Sequence, residues 1–174
     1  KNMIKSYLSE QNEDSIIFVE EDKPLGTAGS LHLIRDKIGG PFFVTNCDIL
    51  IQADYKDLYE YHLKAGNMVT IVSSLKNIKV PYGVIQFKEN GGVLSLEEKP
   101  QLSYFINTGL YVMNPACIDF IPNGTFFHMT DLIDKLLQDG QKIGMYPVSE
   151  ESFLDMGELE ELQRMEQKLK QTLD

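Results

Sequence analysis

Residues 41–75, PFFVTNCDILIQADYKDLYEYHLKAGNMVTIVSSL, read as strand, helix, strand. Pro41–Thr45 is a short buried strand that runs out at Asn46-Cys47-Asp48. Tyr55–Ala65 is a helix stopped by Gly66, and Met68–Leu75 is the next strand. Apolar strands joined through helices build a largely parallel sheet covered on its faces. Upstream the same rhythm holds. Ile16–Val19, short and β-branched, reads as a buried strand. Thr27 starts a helix with Leu31, Leu33 and Ile34 inward and Gly39-Gly40 as its stop. The opening Lys1–Glu10 places Met3, Ile4, Tyr7 and Leu8 on one helical face.

Downstream the rhythm changes. Tyr82–Phe87 and Val93–Glu98, joined by Glu89-Asn90-Gly91-Gly92, predict a β-hairpin. Tyr104–Val112 is a further strand, Met129–Gln138 a helix closed by Gly140, and Ile143–Val148 a short strand. Phe153–Asp155 reads as a last strand end before a helix over Glu158–Leu173. No internal repeat, low-complexity tract or linker interrupts the pattern, so the expectation is one α/β domain with a mixed sheet.

The chain has 174 residues, 43% of them hydrophobic, enough for a sizeable core. Its 26 Asp and Glu against 16 Lys and Arg give a formal net charge of −10. That balance argues against broad nucleic-acid binding and requires any anionic ligand to meet cations, backbone N–H groups or a metal locally. Cys47 and Cys117 have no zinc-type spacing and read as buried, reduced thiols of a cytoplasmic protein. No apolar run approaches the ~20 residues of a membrane span. His32, His62 and His128 have no mutual spacing that suggests a site and read as surface or helix residues.

Several residues could carry chemistry. Asp48 lies where a buried strand ends, the edge at which open α/β sheets bind ligands. There it could hold Mg²⁺, a hard cation suited to one or two carboxylates plus phosphate oxygens, or it could cap the following turn. Asp155, in Phe153–Gly157, has the same two readings, metal ligand or helix-entry carboxylate. Two such aspartates could converge on one ion. Pro24–Ser30 is a glycine loop opening a helix, either a plain turn or a backbone cradle at Gly26 whose helix N-terminus favours electron-rich groups. Lys99, after Glu97-Glu98, suits a phosphate monoester but could equally be a solvated edge-strand lysine. The amide of Asn107, in Asn107-Thr108-Gly109, needs a partner, which a sugar hydroxyl or a neighbouring strand would supply.

The order of these segments carries a resemblance. Pro24–Leu31 (PLGTAGSL), Asn46-Cys47-Asp48, Tyr82-Gly83-Val84-Ile85, Glu98-Lys99-Pro100, Asn107–Tyr111 (NTGLY) and Asp155-Met156-Gly157 are similar to the successive signatures of sugar-1-phosphate nucleotidyltransferases. The FVEEDKPLGTAGSL run resembles the guanylyltransferase branch, which includes mannose-1-phosphate variants. The resemblance implies a Rossmann-like nucleotide-diphospho-sugar transferase fold, a mixed, mostly parallel sheet flanked by helices. It implies attack of a sugar-1-phosphate oxygen on the α-phosphorus of an NTP, giving an NDP-sugar and pyrophosphate, in service of polysaccharide or glycoconjugate synthesis.

By the same resemblance Asp48 and Asp155 hold Mg²⁺, Lys99 binds the sugar phosphate and Glu98 contacts sugar hydroxyls. Gly83, Asn107 and Thr108 fall in the sugar pocket, and Glu21 and Gly26 fall where the base is read. A carboxylate at Glu21 matches the adjacent N1–H and N2–H₂ of guanine and opposes the carbonyls of uracil and thymine, which favours GTP. The family's opening strand and glycine-rich loop, with its Arg and a later Lys, have no match in Lys1–Val19. The expectation is therefore a nucleotidyltransferase domain over 1–174 lacking that segment, poorly active alone. Two rivals stay open: a glycosyltransferase of related fold, although Asn46 stands where those enzymes show the first Asp of Asp-x-Asp, and a non-catalytic nucleotide-sugar-binding module. The terminal helix could dock on its own domain or on a partner, and a homo-oligomer also stays open.

Overall fold

The computed structural model describes residues 2–10 and 16–157. They fall into two compact units, one drawn from 2–10, 16–40 and 115–140, the other from 41–114 and 141–157.

The second unit is built on helix α3 (Tyr55–Ala65), whose ends are written locally. The Asp54 side chain caps it by accepting from the N–H groups of Lys56 and Asp57, at 2.9 and 3.1 Å. Such a cap contributes about 1 kcal/mol. At the other end Gly66 adopts φ 63° and its N–H closes on the carbonyls of His62 and Leu63. Leu58 and His62, four residues apart, form the buried face. Leu58 packs with Ile51, Val72, Leu110 and Val112, the centre of this unit's core. Truncating such a residue to Ala costs about 2–5 kcal/mol.

The sheet beneath α3 has four strands in the order β1 (Phe42–Thr45), β6 (Gln101–Met113), β3 (Val69–Lys79), β7 (Ile143–Val148). β3 and β7 pair in parallel, while β6 is antiparallel to both β1 and β3. The sheet is mixed, as expected; three of its four strands point the same way, but only the β3–β7 pairing is parallel, because β6 is inserted between β1 and β3. The connections explain it. β3 returns as β6 through the hairpin β4 (Val84–Phe87) and β5 (Val93–Glu97), with no helical crossover, so β6 must run back. β7 follows a long connection containing a helix and can run parallel to β3. The expected hairpin is present with its turn at Gly91, φ 80°.

One strand has no counterpart in the sequence reading. Ile49–Ile51 forms β2, antiparallel to β8 (Phe153–Asp155). Beneath α3, buried His62 places Nδ1 2.8 Å from Thr70 Oγ1, which also accepts from Asn67 Nδ2 at 3.0 Å. Burial lowers the His62 pKa from its ordinary value.

In the first unit, α4 (Met129–Gln138) buries Met129, Leu132 and Leu136, and Gly140 follows at φ 74°. Cys117, in the 3-10 segment Pro115–Phe120, is buried, and that burial pushes its thiol up to about 12. Cys47 departs from the expected buried state: it is exposed, because it sits in a turn beyond the end of β1.

Three local expectations are corrected. Ile16–Val19 is exposed irregular chain rather than a buried strand, since no described strand pairs with it and propensity alone supplies no ladder. The helix expected from Thr27 is a four-residue turn, α2 (Gly26–Gly29), continued as a 3-10 segment over Ser30–Lys37. Its period of three residues keeps Leu31 buried but leaves Leu33 exposed. In α1 (Asn2–Glu10), Met3 and Tyr7 are exposed, while Lys5 pairs with Glu20 and lies 5.7 Å from the centre of the Phe18 ring. The helix expected over Glu158–Leu173 lies outside the described residues. Among the described residues, no helix is long and apolar enough to cross a membrane.

Candidate active site

Asp48 and Asp155 are brought together by backbone pairing. Asp155 stands opposite Ile49 in the β2–β8 ladder, one residue from Asp48, and the Met156 N–H donates to the Asp48 carbonyl at 2.9 Å. Apolar Ile49, Ile51 and Phe153 face the core cluster and hold the pair of strands in place. One Asp155 carboxylate oxygen accepts from the Gly157 N–H at 2.8 Å, which orients the group. Asp48 is exposed. Through its bond from Gly157, Asp155 caps the turn at Met156-Gly157, one of the local roles its sequence allowed, while its carboxylate also stands at the end of the ladder. Among the described residues no three His, Cys, Asp or Glu gather as a cluster. A pair of carboxylates without further protein ligands suits a hard cation that fills its shell with water and phosphate oxygens.

The Asn46-Cys47-Asp48 turn is locked to the Asn107–Tyr111 segment. Asn46 N–H donates to the Gly109 carbonyl at 3.1 Å. Gly109 has φ 86°, and a β-carbon there would lie 2.7 Å from Asn46 Nδ2. The register of β3 against β6 jumps from Ile71↔Tyr111 to Ser73↔Asn107, so Thr108, Gly109 and Leu110 bulge opposite Val72 alone. A bulge re-aims side chains. Here buried Thr108 turns inward, donating its hydroxyl to the Val72 carbonyl at 2.8 Å, which pins the bulge. Asn107 turns outward and is exposed. Its Oδ1 accepts from the Gly109 N–H at 3.1 Å and its Nδ2 donates to the Tyr111 hydroxyl at 2.6 Å.

Gly83, Glu98 and Lys99 meet at the base of the hairpin. A β-carbon on Gly83 would lie 3.1 Å from Glu98 Oε2, and the Lys99 N–H donates to the Tyr82 carbonyl at 3.2 Å. Lys99 is the one non-glycine among the described residues with positive φ, 49°, and it precedes Pro100. That conformation costs an L-residue on the order of 1–3 kcal/mol, and such strain clusters at functional sites. Its ammonium lies 3.8 Å from Glu98 Oε1, with both side chains more than half exposed, a weak pair that a phosphate can compete with.

Glu21 and Gly26 belong to the first unit. Glu21 Oε2 accepts from the Leu25 N–H at 3.0 Å, so one carboxylate oxygen closes the loop that precedes Gly26. Gly26, φ 76°, lets the chain approach the Phe127 peptide, whose carbonyl would be 2.7 Å from a β-carbon. The N–H groups of Ala28 and Gly29 both donate to the Phe127 carbonyl, at 3.0 and 3.1 Å, and the Phe127 N–H returns to Leu25. The expected helix N-terminus is therefore not offered to a ligand: the turn is four residues long and these donors are already engaged. Thr27 Oγ1 accepts from the Met129 N–H at 2.9 Å, tying the loop to α4.

The sequence reading missed the β2–β8 ladder and the roles of Asn46 and Tyr111. Ile49-Leu50-Ile51, a short apolar run directly after Asp48, was the available signal for the ladder.

A family model described as nucleotidyl transferase matches residues 1–172. The mannose-1-phosphate guanylyltransferase catalytic subunit beta of Drosophila melanogaster is 39% identical over 111 residues, 61% of this chain and 30% of that protein. The mannose-1-phosphate guanyltransferase beta-A of Xenopus laevis is 32% identical over 153 residues, 83% of this chain and 42% of that protein. The chain thus spans less than half the length of these curated relatives. The crystal structure of HddC from Yersinia pseudotuberculosis superposes with a TM-score of 0.69 at 25% identity, covering 97% of this chain and 74% of that one.

Proposed function

From the premise that this chain belongs to the nucleotidyl transferase family, we propose that it carries sugar-1-phosphate nucleotidyl transfer, joining a sugar-1-phosphate to an NTP. The observation that carries this reading is the β2–β8 ladder, which joins Asp48 to Asp155 across more than a hundred residues of sequence. In the reaction an oxygen of the sugar-1-phosphate forms a bond to the α-phosphorus. The bond from that phosphorus to the bridging oxygen breaks, and pyrophosphate leaves with the electron pair. No covalent enzyme intermediate is needed, so catalysis is alignment and charge neutralisation.

We assign Asp48 and Asp155 to a divalent cation, Mg²⁺ in our reading, which would take these two carboxylates together with phosphate oxygens. When bound, the ion supplies positive charge to phosphate oxygens. The chain's own groups do the remainder. The Lys99 ammonium takes the sugar phosphate as a compact point charge. Glu98 and Asn107 bind sugar hydroxyls, with Gly83 leaving room beside Glu98. Thr108 contributes through the strand it pins, because its hydroxyl is bound to Val72. Gly26 turns the loop onto the Phe127 peptide, and Glu21 reads the base: the carboxylate oxygen bonded to the Leu25 N–H keeps a second lone pair, so both oxygens can meet the N1–H and N2–H₂ of guanine. This favours GTP, and the names of the curated relatives support GTP with mannose-1-phosphate as the first pair to assay. In this reading the reaction is cytoplasmic, where NTP is supplied and free thiols such as Cys47 and Cys117 persist.

The test is transfer of α-labelled GTP into an NDP-sugar by the complete protein, with pyrophosphate released. Release of NDP from an NDP-sugar would select a glycosyltransferase instead, and binding without turnover would select a regulatory module. Turnover unaffected by Asp48→Asn would refute the metal role.

A further inference from the structure

The Asn107 carboxamide is held at both ends, and the direction of each bond follows from chemistry. The Gly109 N–H can only donate, so the atom facing it at 3.1 Å must be the carboxamide oxygen. The amide nitrogen then faces the Tyr111 hydroxyl at 2.6 Å, and the phenol oxygen accepts. The exposed side chain keeps one N–H and one oxygen lone pair for a further partner, as a group engaging a sugar hydroxyl requires. Asn107 is exposed while Tyr111 is only 4% exposed, locked in β6 opposite Val44 and Ile71. A buried phenol therefore anchors an exposed amide at the surface.

We propose that Tyr111 is a positioning residue for the sugar-1-phosphate: through its hydroxyl it holds the Asn107 carboxamide in the one orientation that presents donor and acceptor outward. The inference rests on the reading of Asn107 as a sugar contact. Burial raises the Tyr111 pKa and the Asn107 bond opposes that rise, consistent with an N–H pointing at the phenol oxygen. The hydroxyl itself is too buried to be the ligand's contact. Its effect must pass through Asn107.

The experiment compares Y111F, N107A and the double variant in the complete protein, with separate KM values for GTP and mannose-1-phosphate, kcat and the unfolding midpoint. Y111F removes one oxygen and keeps the ring that fills the core. The expected result is a mannose-1-phosphate KM about five- to tenfold higher in Y111F, the scale of one lost hydrogen-bond anchor. The GTP KM stays within about twofold and the unfolding midpoint changes little, because the amide left behind is reachable by water. N107A raises the same KM at least as much, and the double variant matches N107A, since Tyr111 has nothing left to orient. An N107A effect with an unchanged KM in Y111F would overturn the positioning role alone. A uniform loss in Y111F, with both KM values and the unfolding midpoint moving together, would assign Tyr111 to the fold and overturn it too. No change in N107A would overturn the sugar contact itself, and the positioning role with it.

Discussion

Gly109→Ala tests the joint between the two halves of the proposed site in the second unit. Two penalties act at that position. The backbone sits at φ 86°, where an L-residue costs about 1–2 kcal/mol. The new β-carbon would also lie 2.7 Å from Nδ2 and 3.0 Å from Cγ of Asn46, so the Asn46 side chain must move. Overpacking of this kind costs a further 1–3 kcal/mol or so. The sum, about 2–5 kcal/mol, lowers the unfolding midpoint by roughly 5–15 °C for a chain of this size. Gly66→Ala is the matched control: φ is 63°, and nothing lies within 4 Å of its added carbon, so it carries the backbone penalty alone. Thermal unfolding of both variants separates the two terms. Because the displaced Asn46 begins the turn that carries Asp48, kcat in Gly109→Ala falls further than stability alone explains, while Gly66→Ala keeps its kcat. Equal unfolding midpoints and equal kcat values for the two variants would refute the claim that the Asn46–Gly109 contact sets the position of Asp48.

Three other outcomes are expected. Asp155→Asn lowers kcat at least about a hundredfold, on the scale of removing one aimed charge from phosphoryl transfer, with a small change in unfolding midpoint; unchanged turnover would remove Asp155 from the metal site. Lys99→Gly raises the unfolding midpoint by relieving φ 49° yet raises the KM for the sugar-1-phosphate, a split that a solvated lysine would not produce. Acid destabilises the fold through His62: its folded pKa is lowered, so the unfolded chain binds the proton more readily, and stability present above about pH 6.5 is lost as pH falls below it. Unfolding midpoints between pH 8 and pH 5 should fall more steeply in the native protein than in His62→Gln, and parallel slopes would refute that assignment.

Elements whose limits are set by their own residues were legible in the sequence. Helix α3 ends where Gly66 must turn left-handed, α4 runs from Met129 to Gln138 before Gly140, and the Asn90-Gly91-Gly92 turn closes the hairpin. The candidate residues were legible for a related reason: Asp48, Lys99 and Asp155 stand at element ends, where side chains leave the packed layers. Ile16–Val19 shows the limit of such reasoning, because a β-branched run specifies a strand only if another strand lies beside it.

What no local pattern could reveal is who pairs with whom. β6 enters between β1 and β3 and bulges at Gly109, and that bulge alone decides that Thr108 faces the core while Asn107 faces outward. The glycine loop looked like a helix N-terminus open to a ligand until Phe127, a hundred residues later, took its donors. Asp48 and Asp155 are neighbours only through the β2–β8 ladder, a three-residue pairing that the surrounding core must hold in place. The sequence by itself determined which residues bear charge and where elements start and stop, since these follow from local bonding. Only the tertiary structure decided which of those residues share a site, since that follows from long-range pairing and packing.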